Sequence, residues 1–146
     1  MLQPTKKCLL AMDAVLYIAY TAGARPVSSK EIAQAVGAPQ RYLEQMMQQL
    51  VHNGVLRGVR GPRGGYFLAR ERRKLTVGDV CNAMGQDEPD ENIGSKLGQS
   101  VLRPLWKRLQ AQMLETLSSV TLDELCRNVQ EQGIRVNRAN SSDFAI

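Results

Sequence analysis

The stretch from Ser28 to Ala69 constrains this chain most, because helix-start, helix-stop and hairpin signals follow one another there with almost no spare residues. Ser28 opens a short helix with Glu31 three residues on, the spacing of a capping box. That helix is expected to end near Gly37. Pro39, whose fixed φ suits a first helical turn, then starts the segment PQRYLEQMMQQLVHNG, which Gly54 stops. In this segment Leu43, Met46 or Met47, and Leu50 recur every three to four residues and are expected to face a core. Gln40, Arg41, Glu44, Gln45, Gln48 and Gln49 then face outward. A short helix, a tight turn around Val36, Gly37 and Ala38, and a second helix with a polar outer face read as a helix-turn-helix. Two strand-like runs follow at once, VLRGV at 55–59 and GYFLA at 65–69, separated by RGPRG at 60–64. Glycines permit the positive φ of a tight hairpin and Pro62 fixes a turn, so a β-hairpin with Arg60 and Arg63 at its tip is expected. A basic hairpin in that place is a wing.

The flanking segments supply helices for it to pack on. Residues 6–22 are apolar almost all round and read as a largely buried helix that stops at Gly23. Thr76, with Asp79 in the first turn, opens a helix over VGDVCNAM before Gly85. The acidic stretch 85–99 reads as a loop. A long helix from Ser100 to Ser118 carries Leu102, Leu105, Trp106, Leu109, Met113 and Leu117 on one side, a face suited to pairing with its copy in a homodimer. Thr121 and Glu124 cap a last short helix, LDELCRNV, and the segment from Gln130 onward has little pattern. The expected fold is mainly α with a small β-hairpin. A winged helix-turn-helix domain spans 1–84, a loop 85–99, the dimerisation helix and a short C-terminal helix 100–129, and a flexible tail 130–146.

Charge favours a polyanionic partner. Residues 1–80 hold 12 Lys+Arg against 5 Asp+Glu, whereas 81–146 hold 7 against 9, so the basic half is the expected binder of double-stranded DNA. Arg41 has the fork to grip a guanine edge. Gln40, Gln45 and Gln48 suit adenine or phosphate, Tyr42 a phosphate or a thymine methyl, and Glu44 a cytosine amine. Ser28, at the start of the preceding helix, is counted with them, and Arg60 and Arg63 are expected at phosphates or an adjacent minor groove. Catalysis lacks its parts: His52 is the sole histidine, no nucleophile has a recognisable base, and RGPRGG lacks the Walker spacing. No stretch approaches the roughly 18 apolar residues of a membrane span, and no leader-type cleavage site follows Met1, so a cytoplasmic location is expected. Cys8, Cys81 and Cys126 are odd in number and far apart in sequence, so they form neither a disulfide framework nor a CxxC motif and are expected to be buried apolar fillers.

The segments YLEQ at 42–45, LVHNGVLRGVRGPRGGYFLA at 50–69 and LTVGDVCNAM at 75–84 resemble the IscR/NsrR/CymR family of bacterial regulators, also called the Rrf-two family. The similarity continues through LW at 105–106 to VTLDEL at 120–125. It implies a winged helix-turn-helix that binds an operator, with a long dimerisation helix crossing to the other subunit. Many members of that family hold an iron–sulfur cluster through three cysteines in the loop before the long helix, sometimes with a nearby histidine. This chain departs from that pattern: residues 85–101 contain neither Cys nor His, and Arg103 stands three residues before Trp106, where relatives can carry a histidine ligand. Cluster iron is normally held by thiolates. The expectation is therefore a regulator with no cofactor, switched by a small molecule, a protein partner or a thiol event. Two alternatives stay open: a redox sensor using Cys8, Cys81 or Cys126, and a winged-helix module for protein interaction alone.

Overall fold

Thr5 accepts a hydrogen bond from the Cys8 N–H and so caps helix α1 (Lys6–Tyr20). The computed structural model describes residues 4–85 and 94–136. Ala11, Ala14 and Ala19 are fully buried along α1 beside Val15 and Ile18. Such small residues let neighbours approach from several sides, and α1 is flanked by α2 (Ser29–Val36), α4 (Val77–Met84), α6 (Leu122–Glu131) and strand β2 (Gly65–Leu68). It is the central post of the core.

Helix α2 is capped by Ser28, whose hydroxyl accepts from the Glu31 N–H, and closes at Gly37 in the left-handed region at φ 69°. The Glu31 carboxylate is buried and accepts a 3.1 Å hydrogen bond from the Tyr17 hydroxyl, which ties α2 to α1. Helix α3 (Gln40–His52) follows after three residues, with Pro39 at its N-cap and Leu43, Met46, Met47 and Leu50 buried. Strand β1 (Leu56–Val59) pairs antiparallel with β2, from Leu56 opposite Leu68 to Val59 opposite Gly65. Val27 then exchanges two backbone hydrogen bonds with Tyr66, 3.0 and 2.9 Å long, so the link before α2 is fastened to the hairpin by one β-bridge. Gly65 makes this possible, since any Cβ there would strike the Val27 carbonyl. Among the described residues the result is six helices and one hairpin, a winged helix-turn-helix with a helical extension.

Three boundaries differ from the expectations. The long helix starts earlier than Ser100: residues 96–117 are helical, and Gly98–Leu102 form a π-helical turn that leads into α5 (Arg103–Leu117). Pro104 has no N–H to continue the α ladder, which accounts for a wider turn just before it. Helix α6 runs to Glu131, past the point where a loose tail was expected. It also belongs to the first domain, not with α5. Leu122 and Cys126 are buried in the same core as α1, and Leu122 N–H bonds Leu75 O at 2.9 Å while Val77 N–H bonds Val120 O at 2.9 Å. The expected division at residue 84 fails because the first eighty-odd residues leave one side of α1 for α6 to cover. Most of the expected acidic loop, 86–93, and the segment 137–146 lie outside the described residues.

Candidate nucleic-acid interface

With its apolar residues buried, α3 turns Arg41, Tyr42, Gln45, Gln48 and His52 to solvent. Positions 41, 45, 48 and 52 recur at helical spacing, so they form one stripe down the helix. Among the described residues Arg41, Gln45 and Gln48 make no hydrogen bond or ion pair, and the guanidinium and amides are available. Gln40 and Glu44 are engaged differently. Gln40 Nε2 donates to Ser29 Oγ and to Glu44 Oε1, each at 3.2 Å, and Ser29 Oγ donates to Glu44 Oε1 at 3.0 Å. This small network fastens the start of α3 to the start of α2 and holds the helix-turn-helix angle. Sequence spacing placed both residues outward correctly but could not reveal Ser29 across the turn. Ser28 is occupied as the cap of α2.

The wing packs against α3 through β1. Its tip, residues 60–64, is closed by a 2.9 Å bond from Gly64 N–H to Gly61 O, with Gly61 at φ 112°, and Arg60 and Arg63 are exposed there. Neither forms an ion pair among the described residues. The basic run from Arg57 to Lys74 therefore divides in two. Arg70 pairs with Asp79, Arg72 with Asp123 at 2.9 Å, and Arg73 with Glu71, so these three brace the scaffold. Arg57 stacks over the Phe67 ring, 4.9 Å from its centroid, and stiffens the hairpin. Among the described arginines of this run, Arg60 and Arg63 are exposed with neither a carboxylate partner nor a ring contact. Tyr66, at the foot of the wing, has its hydroxyl pushed above the ordinary phenol range by burial and then by the nearby Glu44 carboxylate, so it stays protonated.

The apolar side of the long helix is open. No residue of α5 is buried, and Leu97, Val101, Leu102, Leu105, Trp106 and Met113 are all exposed, Trp106 at 47% and Leu97 at 76%. Leu109 and Leu117 are half-buried. Leu97 and Val101 extend the expected stripe toward the N-terminus, where the reading of 85–99 as a loop concealed Leu97.

Three cysteines were expected as scattered fillers. Cys8 and Cys126 are buried, but the fold brings Cys8 and Cys81 together, with Sγ to Sγ 3.1 Å across the contact of α1 with α4. One cysteine in a first helix and one in a fourth carry no local signal of such a meeting.

A capped helix, a tight turn, a second helix with a polar stripe and an adjoining basic wing define the chain as a winged helix-turn-helix protein, an architecture built for transcription control. It belongs to the Rrf2 family of transcriptional regulators, whose profile, described as an iron-dependent transcriptional regulator, matches residues 5–128. The HTH-type transcriptional regulator IscR of Escherichia coli is 32% identical over 129 residues, covering 85% of this chain and 80% of the relative. Among solved structures, IscR of T. potens aligns with a TM-score of 0.74 at 30% identity, covering 93% of this chain and 94% of that one. CymR (YrzC), the global cysteine regulator of B. subtilis, aligns with a TM-score of 0.70 at 31% identity, covering 88% and 98%. These relatives are regulators, not enzymes.

The iron named in the family description finds poor donors here. Residues 94–103 offer Ser95, Lys96, Ser100 and Arg103 but no thiol or imidazole, and the sequence of 86–93 contains neither Cys nor His. Among the described residues no three of His, Cys, Asp and Glu cluster for a metal. Cys8 and Cys81 touch each other, Cys126 lies buried beside Arg72 on α6, and His52 sits on the outer stripe of α3. This donor set does not fit an iron–sulfur cluster.

Proposed function

We propose that the chain is a sequence-specific DNA-binding regulator that works in the cytoplasm as a homodimer and without an iron–sulfur cluster. The observation that carries this reading is the conjunction of two unpaired basic and polar groups of residues on rigid supports: Arg41, Gln45 and Gln48 along α3, and Arg60 and Arg63 at the wing tip. In this mode α3 enters the major groove, Arg41 grips a guanine edge, and Gln45 and Gln48 address neighbouring bases or phosphates. Tyr42, exposed at the start of α3, reaches a phosphate or a thymine methyl. Arg60 and Arg63 contact phosphates or the flanking minor groove. Gln40 and Glu44 act mainly through Ser29, positioning α3. The open apolar side of α5 supplies the dimer contact, which places two copies of α3 on two half-sites. Regulation by a small molecule or protein effector then acts through a change in this dimer's fit to its operator.

Selection of bound duplexes from a random pool by the purified chain, followed by titration of the enriched sequence at several salt concentrations, tests the reading. Enrichment of a two-fold symmetric site with affinity that falls steeply with salt is expected. Absence of any enriched sequence, with binding to no duplex at low salt, would overturn it in favour of a protein-interaction role.

A further inference from the structure

We propose that Cys8 and Cys81 form a dithiol that a peroxide oxidises to an intrachain disulfide, cross-linking α1 to α4. The inference stands apart from the DNA-binding reading, because it rests on the sulfurs alone. Their 3.1 Å separation is shorter than ordinary contact between sulfur atoms. A disulfide needs about 2.05 Å between sulfurs, so closure takes roughly 1 Å of sulfur motion, within the range of small side-chain rotations. The two helices already pack together, and each sulfur is held on a regular helical backbone. Cys126 is different: buried on α6 near Arg72, it forms no hydrogen bond to another sulfur among the described residues.

Burial and the adjacent Cys8 sulfur push the Cys81 thiol up to about 12. One of the two sulfurs, as its thiolate, attacks one peroxide oxygen, the O–O bond breaks, and the departing hydroxide takes the proton that this thiol released and leaves as water, so that a sulfenic acid remains. The other sulfur displaces that oxygen: the S–S bond forms, the S–O bond breaks, and the second thiol's proton leaves with the oxygen as a second water. The thiols lose two electrons and the peroxide gains two. A dithiol reductant reverses the change by exchange. Met12, one turn after Cys8 on the same face of α1, lies with Sδ 3.9 Å from Cys81 Sγ and completes a sulfur-lined contact.

The test uses the full chain, fully reduced and then treated with stoichiometric hydrogen peroxide. Two of the three thiols should disappear, the intact mass should fall by two hydrogens, and a peptide digest should contain Cys8 joined to Cys81. The thermal midpoint should rise and return on adding dithiothreitol. Cys8→Ser and Cys81→Ser should each abolish the cross-link and the shift, with Cys8→Ala as the second variant if the serine destabilises the buried site. Cys126→Ser should leave both unchanged. A cross-link through Cys126 or between chains, or oxidation to sulfinic acid with no disulfide, would overturn the proposal. So would one monovalent copper ion bound per reduced chain with no disulfide forming on oxidation, which would make the same sulfurs and Met12 a metal site.

Discussion

At the scale of single residues, the arginines of the wing region show how alike charges come to differ in use. Arg72 lies 2.9 Å from Asp123 and Arg70 within 3.5 Å of Asp79, whereas Arg60 and Arg63 face solvent. Exposed pairs of this kind contribute at most about 1 kcal/mol, so the first two arginines matter more for placing α4 and α6 than for overall stability. Arg41→Ala should cost about 1–3 kcal/mol of operator affinity and relax preference at one base pair. Arg60→Ala should instead weaken all sequences alike and flatten the salt dependence. Fluorescence anisotropy across operator variants and salt concentrations separates the two, and identical profiles for both variants would contradict the docking mode. Gly65 is the steric counterpart. Gly65→Ala should destabilise by about 3 kcal/mol, the upper end of overpacking costs, because the Val27 backbone in its path cannot yield without losing two hydrogen bonds. Denaturant titration reads this directly, and a loss under about 1 kcal/mol would mean that the Val27 bridge gives way easily.

At the scale of elements, local chemistry was legible wherever a cap, a glycine and an apolar period agreed. Thr76 and Asp79 make both arms of a capping box, at 3.1 and 3.0 Å, and α4 spans Val77–Met84 as expected. Leu43, Leu50 and one of the two adjacent methionines needed only helical periodicity to be placed in the core, whereas the fold buries both Met46 and Met47. What the residues could not convey were events that depend on distant partners. Ser29 meeting Glu44, Leu122 and Cys126 finishing the core around α1, and Cys8 meeting Cys81 all join residues whose own neighbourhoods give no sign of it. Helix α5 shows the reverse case. Its periodicity was plain, yet no residue of it is buried, and a helix of this length is marginal in water without a packed face. Trp106→Glu should therefore yield a monomer that keeps its helical circular dichroism, since position 106 is half-exposed in the single chain and tolerates a charge there. Sedimentation equilibrium gives the mass. A folded dimer in this variant would remove α5 from the interface.

At the scale of the whole molecule, the positions of Cys8 and Cys81 mean that their cross-link would enclose α1 through α4, a loop of more than seventy residues. Closing a loop of that length lowers the entropy of the unfolded chain enough to stabilise the fold by about 4 kcal/mol in the chain-entropy account. Urea denaturation of oxidised and reduced protein should differ by an amount of that order, with Cys126→Ser following the parent chain. An equal midpoint for the two forms would mean that strain in the native state cancels the gain.

Gly78 has a consequence of another kind. A Cβ there would strike Ser118, so its absence lets the end of the long helix lie directly against α4. The helical run 96–117 is then a lever of about 33 Å with its pivot at α4. A tilt of about 5° at the pivot would swing the far end by roughly 3 Å over a helix of that length. In a dimer built on this helix, each pivot sits one element away from α3, joined to it by Asn53 Nδ2 donating to Ala83 O at 3.4 Å. In such a dimer the spacing between the two proposed reading heads would be geared to a joint that has room for a hydrogen but not a Cβ, and Gly78→Ala should shift the preferred gap between operator half-sites before it weakens the grip on either one.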